Sequence, residues 1–451
     1  MVHFKREHLI EQFNENPQDP SKKGLWKAVK GLKKKFVPNY IKIKNMDGRH
    51  VPLAKRAETI ATYLEEQHWS NPLEHDANTN QIVDSNEASA ESFTMDEICT
   101  AIKGAKPNKQ PGPDGITTEL IKWLDNANRR LLLDLFNSWW HSRTAPSALF
   151  TARVVPIFKK GDTDVASNYR PVSLLNSFYK IYMVMIRARM QSATETLLSK
   201  TQYGFRPNRS TSHAIYVLRR IQDYSDIKGA NLSIAFLDWE KALDKIQHDK
   251  LIIALHRLGF NSHYTDVIAD CYRNPQFFVQ DNFGCSDRKV QSSGIRQGCP
   301  LSPFLFVLVM TCIDCDIQQA VSAHVINNRI PGAEFDMVYY ADDTVLFSRS
   351  NRGLNELLRY TEQISKGYGL SLNKSKCVAI AMTNDFCIHF GDGTPLGKEF
   401  EAMYLGNEIN RIVNIKHEVF NKMSDVRRTW FKLDSYWKAT RASTEVEIDY
   451  F

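Results

Sequence analysis

The chain, 451 residues long, contains no run approaching the roughly 18–20 consecutive apolar residues of a membrane-spanning helix. Its most apolar stretch, residues 304–313, is about half that length and reads as a buried helix. The start, Met1-Val-His-Phe-Lys-Arg-Glu7, lacks the apolar core of a secretory signal. Cysteine is sparse, with eight residues and one C-x-x-C, formed by Cys312 and Cys315. No second cysteine or histidine pair stands where it would complete a zinc site, so reduced, packed thiols are expected. These absences argue against a disulfide-stapled secreted scaffold and against a membrane partner. The expectation is an intracellular protein, cytoplasmic or nuclear. No internal repeat is visible.

What is present is a segmented charge. Residues 1–60 hold fourteen Lys/Arg against six Asp/Glu, residues 61–100 none against nine, and the remainder 44 against 36. A basic head and a basic body suit a polyanionic partner such as nucleic acid. Runs such as Lys33-Lys34-Lys35 are equally compatible with solvated surface. Helical amphipathic spacing covers 24–36 and 54–66, and the polar residues 75–93 read as a flexible linker.

Thr94 is placed to cap a helix over 95–103. Lys106-Pro-Asn-Lys-Gln-Pro-Gly-Pro-Asp-Gly115 is barred from regular structure by its Pro and Gly. Helical spacing returns at 117–140, 173–198, 211–224, 241–258, 264–272, 303–322 and 353–367. Strand-like runs fall at 153–158, 232–237, 277–279, 288–290 and 375–382. This alternation predicts an α+β fold, with an antiparallel sheet backed by helices.

Two adjacent aspartates, Asp342 and Asp343, lie between Asp336-Met-Val-Tyr-Tyr-Ala341 and Thr344-Val-Leu-Phe347, a strand–turn–strand pattern. Like-charged carboxylates this close retain a proton unless a cation compensates them. A hard divalent ion takes oxygen ligands and leaves room for phosphates. Ser233-Ile-Ala-Phe-Leu-Asp238 is a second apolar strand ending in an acid. If the two strands are neighbours, Asp238 and Asp342 face each other in the arrangement that two-metal phosphoryl displacement requires. An isolated acid at a turn would mean nothing of the kind.

Tyr340-Ala-Asp-Asp343 resembles the catalytic hairpin of reverse transcriptases. It does so together with Phe236-Leu-Asp-Trp-Glu-Lys-Ala-Leu-Asp244, Gly294-Ile-Arg-Gln-Gly-Cys-Pro-Leu-Ser-Pro303, Gly369-Leu-Ser-Leu-Asn-Lys-Ser-Lys376 and Tyr404-Leu-Gly406. Upstream, Pro111-Gly-Pro-Asp-Gly115, Val155-Pro-Ile-Phe-Lys-Lys-Gly-Asp162, Asn168-Tyr-Arg-Pro-Val-Ser-Leu174 and Gly204-Phe-Arg-Pro207 resemble the finger segments. The wording is most similar to non-LTR (LINE-type) retrotransposon polymerases, with group II intron enzymes as the next relatives. The blocks occur in the family's order over roughly 95–410.

The resemblance implies a right-hand polymerase: 94–230 fingers with the start of the palm, 231–406 palm, and 407–451 a partial thumb. Residues 1–74 would form a basic helical extension and 75–93 an acidic linker. Asp238 and Asp342 would bind two Mg2+ ions (Mn2+ being an alternative), with Asp343 supporting them. Lys160 and Arg170 would hold the dNTP triphosphate, Gln297 and Gly298 would line the base-pair pocket, and Lys376 would protonate the leaving pyrophosphate. Arg206, Gly294 and Tyr340 fall on segments that contact nucleic acid, and Tyr404, Leu405 and Gly406 on the turn that grips the primer end. Plainer readings stay open: Lys159 can replace Lys160, Lys374 can replace Lys376, and Tyr404-Leu-Gly406 can be an ordinary hairpin turn.

One residue departs from the family pattern. Five positions after the first aspartate an aromatic side chain usually blocks the ribose 2′-hydroxyl, and here Leu243 stands there. The implied partners are an RNA template, a DNA primer or RNA–DNA hybrid, and dNTP; the sequence is silent on oligomeric state. An endonuclease pattern is missing from the first 90 residues, and the helical residues 412–437 offer only a short thumb, so poor processivity is expected. A decayed nucleic-acid-binding remnant is the competing reading. A nucleotide cyclase shares the paired acids but not the finger and Gln-Gly blocks.

Overall fold

The computed structural model describes residues 42–70, 75–382, 386–411 and 416–440. The helical reading of 24–36 lies outside them. Two compact units are present, Lys42–Val413 and Met1–Ile41 with Asn414–Phe451. In the second, the described part is one helix, Lys416–Thr440, where the spacing predicts helix at 412–437.

Unit Lys42–Val413 begins with helices α1 (Arg56–Tyr63), α2 (Met95–Gly104), α3 (Thr118–Lys122) and α4 (Asn126–Ser142), then strands β1 (Ala152–Phe158) and β2 (Tyr169–Leu174). Helices α5 (Ser177–Thr194) and α6 (Thr211–Lys228) lead to strand β3 (Ser233–Leu237) and helices α7 (Ala242–Lys245), α8 (His248–Arg257) and α9 (Ser262–Tyr272). Strands β4 (Gln276–Val279) and β5 (Lys289–Val290) precede helices α10 (Ser302–Ala320) and α11 (Ala323–Asn327). Strands β6 (Met337–Tyr340) and β7 (Asp343–Ser348), helix α12 (Asn351–Lys366), and strands β8 (Val378–Ala381), β9 (Gly397–Lys398), β10 (Glu401–Tyr404) and β11 (Asn407–Asn410) complete it. The fold is α+β.

A five-stranded sheet, ordered β6-β7-β3-β8-β9, carries the acids. Its central strand β3 is buried along its whole length, so both sheet faces are covered. On one face Ile234 and Phe236 pair with Phe347 and Val345 of β7 and pack on Ala214, Leu218 and Ile221 of α6. Helix α12 lies against β7 and β3 and packs on α10. A second sheet, ordered β2-β1-β4-β5, receives α1 against β4.

Thr94 caps α2 as the sequence predicts, its hydroxyl accepting from the Glu97 amide while Glu97 answers the Thr94 amide. Elsewhere tertiary partners override local preference. Helix was expected from Ser173, but residues 169–174 form β2; Pro171, lacking an N–H, is tolerated because β2 is an edge strand. The helix expected over 241–258 breaks at Ile246-Gln247. There the Ile246 carbonyl accepts from Gly294 and the Gln247 amide donates to Tyr368, which occupies the groups a helix would need.

Helix α10 corrects the estimate of apolar length. It continues past Ile313, so Ser302–Ala320 is by length and composition long and apolar enough to cross a bilayer. Yet 67% of that window is buried inside the protein, as befits a core helix. All eight cysteines are free, including Cys312 and Cys315 on this helix.

The polar stretch 75–93 is also not the loose linker that its composition suggests. The Ile82 and Val83 amides donate to the Arg257 carbonyl (2.9 and 3.1 Å), and Asn86 N donates to Gly259 O (3.0 Å). The Arg257 guanidinium is buried, binds Asp316 at 2.8 and 2.5 Å and Tyr368 at 2.6 Å, and reaches the Asn80 carbonyl at 2.7 Å. Asn78 adds a bond to the same Asp316 (2.7 Å). Arg257→Met should therefore lower unfolding stability by about 3–5 kcal/mol, because it strands a buried carboxylate. Denaturant titration measures this, and a loss within about 1 kcal/mol would show the strap to be incidental.

Candidate active site

Strands β6 and β7 meet in the tightest possible hairpin. Tyr340 pairs with Asp343, which leaves Ala341 and Asp342 as a two-residue turn. Ala341 takes a left-handed φ of 57°, an uncommon conformation for a residue with a side chain. The strain is contained from outside. Tyr203 N donates to Tyr339 O (2.8 Å), Tyr339 N donates to Thr201 O (3.0 Å), and the buried Gln202 Oε1 accepts from both Gly204 N and Ala341 N (2.8 and 3.1 Å). Gly204 has no room for a side chain, since a Cβ would stand 2.2 Å from the Ala341 nitrogen. Gln202 is a residue that sequence reasoning missed; its one signal was its place just before Tyr203-Gly-Phe-Arg-Pro.

Antiparallel pairing of β3 with β7 sets Leu237 against Thr344, so the register continued by one step puts Asp238 across from Asp343. Beyond this point Trp239 Nε1 ties the strand end to Thr344 Oγ1 (3.0 Å). The three acids feel one another. Crowding by the protein, and then the charges of Asp342 and Asp238, push Asp343 up to about 6. Asp342 is raised as well, by desolvation and Asp238, against a lowering pull from Lys159 and Arg170. Both carboxylates nevertheless open to solvent at the sheet edge.

The neighbouring lysines differ in their surroundings. Lys376 Nζ lies 2.9 Å from Asp238 Oδ2, whereas Lys374 is engaged by Glu362 (2.9 Å) and Asp392 (2.7 Å). The charges of Lys159 and Arg170 both act on Asp342. Among the described residues no three His, Cys, Asp or Glu side chains close into a ready-made metal cage. Solvent-open carboxylates that repel one another suit instead a hard ion whose remaining ligands come from water and phosphate.

Gln297 is half-buried and Gly298 exposed, in the loop before α10. The Gln297 carbonyl accepts from Ser173 N at 2.9 Å, and a Cβ on Gly298 would meet Ser173 O at 2.3 Å, so this loop lies directly on β2, the strand that carries Arg170. Leu243, half-buried, takes the Ile295 amide on its carbonyl (2.7 Å).

Several expected nucleic-acid contacts point inward. Arg206 is buried and bound to Glu195 (2.6 Å) and to the carbonyls of Ser199 (2.7 Å) and Gln202 (3.1 Å), so its guanidinium props the loop under the hairpin. Gly294 is buried against the Asp244 backbone. Tyr404 is buried against Phe236, with ring centroids 5.8 Å apart, and Tyr340 is partly buried beside the same core. Leu405 and Gly406, with φ of 50° and 77°, form the two-residue turn between β10 and β11.

The raised acids have a pH signature. In the folded state they keep their protons to higher pH than in the unfolded chain, so stability falls as pH rises from about 4 to about 6 and stays lower above. Asp343→Asn should raise the melting temperature by a few degrees at pH 7 in a chelator, with the gain vanishing near pH 4. A melting curve series against pH checks this, and a constant offset at every pH would contradict it.

Comparison with known proteins bears on this geometry. Residues 157–409 match the family described as reverse transcriptase (RNA-dependent DNA polymerase). The chain is 24% identical over 430 residues to the RNA-directed DNA polymerase from mobile element jockey of Drosophila funebris, covering 91% of this chain and 46% of that protein. It is 28% identical over 299 residues to the Pol polyprotein of retrotransposable element R2 from Popillia japonica (66% and 40%). It is 27% identical over 288 residues to the transposon TX1 149 kDa protein of Xenopus laevis (63% and 22%). The chain thus spans less than half the length of these relatives. Among solved structures, apo telomerase from Candida tropicalis, truncated from its C-terminal domain, aligns at 14% identity and TM-score 0.42, covering 63% of this chain and 59% of that one. With more than half its residues matched, the chain belongs to the reverse transcriptase (RNA-dependent DNA polymerase) family.

Proposed function

We propose that this chain is an RNA-directed DNA polymerase that adds dNTPs to a primer 3′-hydroxyl on an RNA template. The observation that carries the reading is the meeting of Asp238, Asp342 and Asp343 at one sheet edge, within the field of Lys159 and Arg170. Carboxylates that repel one another beside two cations form a place for divalent metal and polyphosphate together. In this reading residues 94–230 act as fingers, 231–406 as palm and 407–451 as part of a thumb.

Two Mg2+ ions, held by Asp238 and Asp342 with Asp343 beside them, would activate the 3′-hydroxyl and offset charge on the leaving pyrophosphate; Mn2+ could replace them. Arg170 offers a planar fork and Lys159 a mobile point charge to the triphosphate. Gln297 and Gly298 bound the space for the new base pair. Attack by the primer oxygen on the α-phosphorus forms one P–O bond and breaks the bond to the β-phosphate. Lys376, whose ammonium neutralises Asp238 at 2.9 Å, is the proton donor to the departing pyrophosphate. An RNA–DNA hybrid would be held chiefly through backbone and 2′-hydroxyl contacts on the basic surface.

Leu243 gives the reading a specificity consequence. A branched aliphatic side chain is thinner than an aromatic ring and cannot lie flat beneath a sugar, so rejection of ribonucleotides is weakened. Leu243→Phe should raise the dNTP-over-rNTP preference about tenfold, measured as the ratio of kcat/KM values. An unchanged ratio would remove Leu243 from that role.

The central test is primer extension on an RNA template with Mg2+. Wild type should extend, and Asp342→Ala should lose on the order of a thousandfold or more of the rate. Salt-sensitive RNA binding should survive in both. Binding without extension by the wild type would favour a polymerase remnant instead.

A further inference from the structure

We infer that Asp244 is a positioning residue for Gln297, held in turn by Trp69 from the segment ahead of the family domain. The inference rests on Gln297 lining the nucleotide pocket, as proposed above. Asp244 sits on the short helix α7, only 5% exposed. Its Oδ2 accepts from the Gln297 side-chain amide at 2.7 Å, and its Oδ1 accepts from the Trp69 indole N–H at 3.2 Å. His68 Nε2 approaches Oδ2 to 3.1 Å, with both side chains buried. A buried carboxylate receiving N–H donors on both oxygens is held by charge-assisted bonds, stronger than those an amide would make.

The consequence for Gln297 is orientational. A carboxylate accepts and never donates, so it fixes which end of the Gln297 amide is nitrogen; the flipped amide would set oxygen against oxygen. The same loop is stitched to α7 along its backbone. Ser293 Oγ donates to the Asp244 carbonyl (3.1 Å), Ile295 N to Leu243 O (2.7 Å) and Gly294 N to Ile246 O (2.7 Å). Asp244 therefore adds the bond that orients the Gln297 side chain in a register that these other bonds have already set.

The other half of the clamp comes from a distant part of the sequence. Trp69 is 1% exposed and stands edge-on to Phe277 of β4, with centroids 4.7 Å apart. Residues 68 and 69 lie well before the matched span 157–409. The orientation of a pocket residue in the family domain thus depends on side chains outside it.

Asp244→Asn is the direct test, because asparagine has one oxygen and can satisfy Trp69 or Gln297 but not both. In primer extension the KM for dNTP should rise about tenfold while kcat stays within about twofold. Gln297→Ala should raise KM too, and Asp244→Asn should add nothing further in the Gln297→Ala background; general structural damage would add. Trp69→Phe keeps the packing on Phe277, removes only the donor, and should raise KM by a few-fold. If Gln297→Ala raises KM and Asp244→Asn does not, or if the two effects add, this inference fails alone. If Gln297→Ala leaves KM unchanged, the pocket reading fails and takes the inference with it. Should Asp244→Asn not fold, Trp69→Phe decides, and an unchanged KM there overturns the inference.

Discussion

Repulsion among three carboxylates at one sheet edge is the constraint to which the rest of the unit answers. A strand pair alone would splay or shift register to relieve it. The surroundings prevent this: β3 is buried on both faces, Trp239 ties its end to Thr344, and residues 201–204 grip the hairpin from outside. An alanine in a left-handed turn is kept there by the Gln202 side chain and by backbone that approaches closely only because residue 204 is glycine. Apolar burial thus stabilises a charge arrangement that is unfavourable by itself, and cations are left to neutralise it. That division between a costly site and a compensating scaffold is expected where chemistry is done.

The segment ahead of the matched domain belongs to that scaffold. Residues 61–100 carry nine acids and no Lys or Arg, which suggests a solvated spacer. In the fold two of those acids meet the basic body: Glu65 lies 3.6 Å from Lys289, and Glu97 binds Arg189 at 2.6 Å. Glu58, just upstream, holds Lys289 at 3.1 Å, and Arg56 pairs with Asp281 in a buried ion pair. At these positions acids of the leading segment and bases of the body face each other.

How much of this was legible depended on whether the deciding partner was local. The Thr94 cap, the Asp-Asp hairpin and the strand before Asp238 announce themselves within a few residues, and each stands where its pattern puts it. The strand at 169–174, the break at Ile246-Gln247 and the inward turn of Arg206 do not. Each is decided by groups distant in sequence or by the vacant carbonyls of a neighbouring loop. The resemblance places Arg206 on a segment that contacts nucleic acid, yet Glu195 and two carbonyls take its donors. His68 and Trp69 gave no signal at all, because nothing near them in sequence needs an acid.

Strand register distinguishes the surroundings of Lys159 from those of Lys160. Strands β1 and β2 pair Ile157 with Arg170 and Phe158 with Tyr169, and the Lys159 amide extends the ladder to Asn168 O at 2.9 Å. Side chains two apart on a strand share a face, and directly paired residues share it too. Ile157, Lys159 and Arg170 are therefore on one side of the sheet, with the Phe158 and Tyr169 rings edge to face on the other, centroids 5.6 Å apart. Lys160 lies beyond the last ladder bond, where the chain turns away at Gly161. The adjacent lysines look interchangeable as letters, but the pleat assigns only Lys159 to the face of Arg170, and the same two cations are those that Asp342 feels.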